Sequence, residues 1–443
     1  MRPLAFVATT LAVVAVACSS GNGNFDGGTA EDSGGGVDSS PTTDSGKPET
    51  GPLFDSGFVL DSSSGNDATT DESGSQYDAT FDFDGFSKGD GNNCFDDDGD
   101  GWTTCDGDCN DHDSLINPCA FDTNDPSDPV GSDGIDNDCD GQIDNLRTCD
   151  ASLTAGHSTK PGDYASAMDI CDNAKCSVVV GATFYGPNDS FAHRITAHMG
   201  QNFTPHKGSY MAFLSTGTAD DDKDNPSYTP GDGTNLQNTF PNPAPLKAAQ
   251  NPNPCNPNGT DEPTTVNDYS EIRLTLRAPI NAGSFTFDFN FFSEEYPEYV
   301  CHGFNDTFLA MLTSQQYNAP TQIAFDGLGH RINVNNGFFQ DCNDVTSGLN
   351  LGYTHLTCSN PLSTLAQTGY EIKYGQTAFT LGNDNLGSGA TDWLKTTAPI
   401  APGETFTLSF IIYDEGDGLM DSAINLDNFR WHSTTISSPV TAR

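Results

Sequence analysis

Two short stretches of this chain carry acidic side chains at a spacing that could hold a metal ion. They are Asp96-Asp97-Asp98-Gly99-Asp100-Gly101 and Asp136-Asn137-Asp138-Cys139-Asp140-Gly141. In each, carboxylates at the first, third and fifth positions converge on one point, and glycine at the sixth allows the sharp turn that gathers them. The next residue, Trp102 or Gln142, can offer its backbone carbonyl as a further oxygen. The second loop has another acid, Asp144, at its ninth position. A twelve-residue calcium loop ends on a bidentate Glu, but Gly107 and Arg147 stand at those places. The first loop must therefore recruit Asp106 or Asp108, and the second must borrow from a neighbour. Hard oxygen donors at this density select Ca2+ over zinc or copper. His112, the lone histidine of the stretch, makes a poor copper site.

A second set of acids lies further along. Glu294, Glu295 and Glu298 follow a Phe-rich run, Asp306 comes after a short loop, and Asp427 precedes Asn428 near the end. Brought together, Glu294, Glu295, Asp306 and Asp427 would share a calcium ion that pins a strand end. The alternative is a glycosidase-like pair, with Glu294 or Glu295 as general acid opposite Asp306 or Asp427. Carboxylates tied to a metal are poorly placed to keep a proton, which favours the structural use. Asp414-Glu415-Gly416-Asp417-Gly418 with Asp421 reads either as an exposed turn or as a weak calcium site. His193 and His198 have no third ligand beside them in the sequence and read as ordinary polar positions. No His-Glu-x-x-His, Gly-x-Ser-x-Gly, phosphate-loop or dinucleotide motif occurs, so no enzyme is expected.

The elements that must position these groups are strands. Alternating β-branched or aromatic runs cover Ser177 to Phe184, Tyr210 to Leu214, Glu271 to Leu276, Ser284 to Phe292, Thr307 to Leu312, Thr405 to Tyr413 and Ile424 to Trp431. One helix is expected from Tyr164 to Ile170. Short strands between Asn, Gly and Pro loops predict an all-β fold, an antiparallel, jelly-roll-like β-sandwich. In the clearest strand, Ser284 to Phe292, the Phe row is a core face rather than a ligand platform.

Composition sets the organisation around this head. With 62 acidic against 17 basic residues the formal charge is -45, which repels phosphate backbones and excludes nucleic acid as a partner. Residues 1–17 read as a lipoprotein signal peptide, with apolar Leu4 to Ala17 behind Arg2. Residues 18–92 hold fifteen acids and two lysines, without periodicity, and read as a disordered linker lifting the rest from a membrane. Residues 93–150 form an irregular Asp/Cys-rich metal-binding module, and residues 151–443 the sandwich domain. Thirteen cysteines less Cys18 leave an even twelve, a disulfide framework for an oxidising compartment. Cys171 and Cys176 pair plausibly by proximity, and the other partners are open.

Three resemblances extend this reading. Ala15-Val16-Ala17-Cys18 resembles the bacterial lipobox, which implies lipidation at Cys18 and a cell-surface, outer-membrane lipoprotein, or else a secreted one. Asp96 to Trp102, Cys109-Asn110-Asp111, Asn117-Pro118 and Asp133 to Gly141 are similar to the MopE-type aspartate-rich repeat and, more loosely, to thrombospondin type 3 repeats. Phe292 to Val300, Phe304 to Phe308, the block around Met211 to Gly217, and Asn425 to Phe429 resemble the choice-of-anchor L domain of bacterial surface proteins. Together they imply a lipid-anchored, calcium-binding surface protein for adhesion or recognition, meeting surface glycans or proteins. The alternatives are a carbohydrate-binding sandwich, for which Trp393 and Trp431 are the tryptophan candidates, and a secreted hydrolase.

Overall fold

A computed structural model describes residues 94–172, 175–186, 191–226, 228, 239–243, 264–297, 299–300, 304–342, 358–371, 387–416 and 418–443. The signal peptide, Cys18 and the linker lie outside the described residues, as do Cys255, Glu298, Cys301 and Asp417. One short helix, α1 (Pro161–Ala167), precedes the strands. These are β1 (Val179–Tyr185), β2 (His193–Thr196), β3 (Met211–Ser215), β4 (Thr239–Pro241), β5 (Thr265–Arg277), β6 (Ser284–Ser293), β7 (Thr307–Thr313) and β8 (Thr321–Gln322). They continue with β9 (Ile332–Asn333), β10 (Phe339–Cys342), β11 (Asn360–Pro361), β12 (Gly389–Thr391), β13 (Leu394–Pro399), β14 (Thr405–Asp414), β15 (Ser422–His432) and β16 (Val440–Ala442).

Two sheets form a sandwich. One runs β1-β5-β14-β7-β8, with β4 on β5 and β9 on β7; the other runs β11-β10-β12-β6-β15-β3-β2, with β13 joining β6 to β16. Pairing is antiparallel except between β10 and β11. The expected all-β sandwich is the observed class, and each of the seven long strands forms where the alternation placed it. The 13-residue β5 starts at Thr265, ahead of the expected Glu271 to Leu276 run.

The core shows why. Phe285, Phe287, Phe289 and Phe291 of β6 are fully buried with Ile272, Leu274, Phe308, Phe406, Leu408, Phe410, Ile424 and Leu426. Each such side chain withdrawn from water contributes about 1.5–3 kcal/mol. The opposite face of β6 is covered too. Phe292 packs with Phe203, Phe213 and Tyr370 in a second cluster, and Asp288 and Asn290 are 3% and 0% exposed. The Phe row is therefore core, while its polar partners are buried rather than solvated.

Residues 94–150 contain neither helix nor strand beyond an isolated bridge, Thr123 to Gly131. Turns and disulfides hold them. Cys94–Cys105 and Cys109–Cys139 close the stretch internally, and Cys119–Cys176 and Cys149–Cys171 staple it to the sandwich side. The expected Cys171–Cys176 pair is thus corrected: each of the two cysteines faces a partner in the Asp-rich stretch instead of its sequence neighbour. Cys342–Cys358 is a further bridge. Asn281 reinforces the seam, accepting from the Phe121 N–H and donating to its carbonyl, both at 2.9 Å.

Candidate metal sites

The backbone of the first loop folds around Asp96. Its Oδ1 accepts the Gly99 N–H at 2.6 Å and its Oδ2 the Gly101 N–H at 3.1 Å. Gly99 and Gly101 adopt φ of +83° and +91°, the left-handed region that glycine enters without Cβ strain. This brings oxygens of Asp96, Asp98 and Asp100 within 4.8 Å of one another. Asp100 also accepts the Trp102 N–H at 2.7 Å and the Asn117 amide at 2.8 Å. Of the two acids proposed to complete the loop, Asp108 is 5% exposed. Asp106 instead bonds Thr103 at the surface. One oxygen each of Asp98 and Asp108 is buried without a hydrogen-bond partner. Burial pushes the Asp108 carboxyl up from its ordinary value, and the charges of Asp100 and Asp98 push the same way. Burial likewise raises Asp100, against hydrogen bonds from Trp102 and Asn117.

The second loop repeats the turn. Asp136 accepts the Asp140 and Gly141 N–H groups at 3.0 and 2.8 Å. Cys139 and Gly141 take φ of +54° and +92°. Asp136, Asp138 and Asp140 gather within the same 4.8 Å, and Asp140 accepts the Gln142 N–H and the Asn145 amide. The neighbour that reaches into it is a cation and not the oxygen ligand expected. Arg147, at the twelfth position, places Nε 2.7 Å from Asp138 and an Nη 3.2 Å from Asp140. Burial raises the Asp138 carboxyl, and the Arg147 guanidinium opposes that. Asp144 does not join: its carboxylate accepts from Ser132 and Gly134, because the 132–134 turn offers N–H groups closer than the loop centre.

At one end of the sandwich, Glu295, Asp306 and Asp414 form a third cluster, all buried, with an oxygen of each within 4.8 Å of the others. Glu295 follows β6 in one sheet, whereas Asp306 precedes β7 and Asp414 ends β14 in the other, so the cluster ties the sheets together. The Asp306 N–H donates to Glu295 at 3.0 Å. Two expectations are corrected here. Asp414 lies at 1% exposure and is no surface turn. Asp427 is not in the cluster: it pairs with Asp288 across β6 and β15 and accepts the His206 and Lys207 N–H groups. Burial there pushes its carboxyl up to about 7. Glu294, 4% exposed, stands next to the cluster in sequence but outside the grouped oxygens.

A fourth grouping was missed by the sequence. His198, Asp221 and Asp224 bring a ring nitrogen and two carboxylate oxygens within 4.8 Å. The reading of His198 as lacking further ligands is corrected, since the partners come from the loop after β3. His193, by contrast, is a core histidine, stacked on Phe184 at 3.7 Å and bonded to the Tyr164 hydroxyl.

A disulfide-stapled β-sandwich bearing buried and half-buried acid clusters is the class of protein these features define. The choice-of-anchor L domain matches residues 196–429, and the chain belongs to that family. The match does not reach the Asp-rich stretch. No curated protein matches the chain, and no solved structure does. The family and the disulfides mark a protein of the extracellular or cell-surface environment.

Proposed function

We propose that this is a lipid-anchored, calcium-binding surface protein whose sandwich serves adhesion or recognition and not catalysis. The observation carrying the calcium reading is the first loop. Asp96, Asp98 and Asp100 converge beside buried Asp108, and Asp98 and Asp108 each keep an oxygen with no hydrogen-bond partner. Buried carboxylate oxygens are costly unless paired or metal-bound, and calcium accepts six to eight such oxygens. Ca2+ there neutralises the loop and locks its turn. A second ion at Glu295, Asp306 and Asp414 would fasten the two sheets.

Attachment to a membrane through lipidated Cys18 would leave the head free to meet surface glycans or proteins. Two observations favour this over the alternatives. Glu294, Glu295, Asp306 and Asp427, the hydrolase candidates, are 4%, 2%, 0% and 0% exposed, whereas a glycosidase pair must flank its sugar. Trp393 and Trp431 are half-buried against His206 and against Phe429, so neither offers an open sugar platform.

The test is melting of the chain in chelator and in calcium, with the bound ions counted by mass spectrometry. Calcium at about thirty times its Kd adds roughly 2 kcal/mol, which is a rise of several degrees in Tm. A melting curve indifferent to calcium, with no ion bound, would overturn the reading.

A further inference from the structure

The loop after β3 delivers Asp221 and Asp224 to His198, which follows β2, and each group is itself held. Asp221 is 1% exposed. Its Oδ2 accepts the Gly200 N–H at 2.7 Å, and its Oδ1 accepts the Asp224 N–H at 3.0 Å. The same Oδ2 lies 3.1 Å from His198 Nδ1. A carboxylate only accepts, so Nδ1 carries the hydrogen and the lone pair of a neutral ring sits on Nε2. That atom is 3.3 Å from Asp224 Oδ1. The other Asp224 oxygen is paired with Arg194, which also holds Asp220.

We infer that His198 Nε2 and Asp224 Oδ1 bind a transition-metal ion of the zinc class, with Asp221 orienting the imidazole. At 3.3 Å the Nε2–Oδ1 gap is closed either by the proton of an imidazolium or by a metal ion that takes that proton's place. The gathering of one nitrogen and two carboxylate oxygens within 4.8 Å supports the metal. A metal ~2.1 Å from each would see them about 105° apart, close to tetrahedral. A histidine whose second nitrogen donates to a buried carboxylate is the usual support of a metal-bound imidazole. Asp224 retains 35% side-chain exposure, so the remaining coordination positions open to water. Imidazole nitrogen selects Zn2+, Co2+ or Ni2+ over Ca2+, which separates this site from the acidic loops and makes it independent of the calcium reading.

Cobalt titration of the full chain in excess Ca2+ tests it. One equivalent of Co2+ with visible d–d bands, displaced by Zn2+, is expected. His198→Gln and Asp224→Asn abolish that equivalent, and Asp221→Asn weakens it by at least about 10-fold. Nitrogen chemical shifts of His198 provide a measurement that needs no variant: Nε2 shifts on Zn2+ addition while Nδ1 stays protonated. No cobalt uptake, uptake in the three variants equal to that of the parent chain, or a His198 ring protonated at both nitrogens in the presence of Zn2+ would each overturn the proposal.

Discussion

The two acidic loops share a backbone and differ in how their charge is balanced. Both start with an aspartate that accepts two N–H groups of its own turn. Both use left-handed residues at positions four and six, and both have an asparagine amide on the fifth-position acid. The Cys109–Cys139 bridge joins them directly. At the twelfth position they part. Arg147 reaches into the second loop and bonds its third and fifth acids. In the first loop Gly107 has no side chain, and the Lys175 amine packs over it. The second loop therefore carries its own counter-cation, although one Asp138 oxygen still lacks a partner. In the first, one oxygen each of Asp98 and Asp108 has no hydrogen-bond partner. Like motifs can thus differ in charge balance through one residue.

Removing the built-in cation breaks the comparison most strongly. Arg147→Gln leaves Asp138 and Asp140 facing each other, and loss of one partner of a mostly buried ion pair costs about 2–3 kcal/mol after allowance for the exposed part of Arg147. Chemical denaturation in chelator measures it. Calcium should restore most of the loss, and the number of bound ions should rise by one over the parent chain. The deficit also depends on pH. Asp138 is held above its ordinary 3.8 by burial, with Arg147 opposing. A folded carboxyl above its unfolded value costs stability once pH exceeds the folded pKa, and that cost fades on acidification. The variant therefore closes on the parent as pH falls from neutrality towards 4. An Arg147→Gln chain as stable as its parent in chelator would show that the guanidinium is not the balancing charge.

Much of this was legible before any coordinates. The alternation in Ser284 to Phe292 locates β6 because a strand's side chains have a period of two, and the Asp-x-Asp-x-Asp-Gly spacing locates both loops because a single turn gathers them. Local patterns stop there. His198 gains Asp221 and Asp224 because the loop after β3 folds back along β2, where Arg194 holds Asp220 and Asp224. Asp414 meets Asp306 because β14 pairs with β7, although a hundred residues separate them. A jelly-roll-like order can lay the last strand beside the loop that follows β6, which points Asp427 towards Glu295, whereas register sets it opposite Asp288. Arg147 was visible as a missing glutamate; its role depends on where its side chain turns, which spacing does not encode.

Weakening the first loop gives a smaller effect that sharpens the contrast. Asp98→Asn removes one of the oxygens without a partner and should erase most of the roughly 2 kcal/mol that calcium supplies at about thirty times Kd. In chelator the same change should be neutral or slightly stabilising, since it relieves repulsion among like charges. Calcium titration followed by Trp102 fluorescence reads both, because the indole belongs to the residue directly after the loop's turn. A variant that keeps the full calcium response would move the ion elsewhere.

The smallest effect concerns what the loops share. Gly101 and Gly141 both sit at φ near +90°, and a Cβ added at either meets nothing within 4 Å. Alanine at each position then costs only the conformational penalty, about 1 kcal/mol, and the two costs should match. Melting of Gly101→Ala and Gly141→Ala in chelator compares the bare backbones. Equal losses place the difference between the loops in their charges alone. A clearly larger loss at Gly101 would mean that the first loop stores strain that the second does not, and the balance attributed to Arg147 would then need a backbone contribution as well.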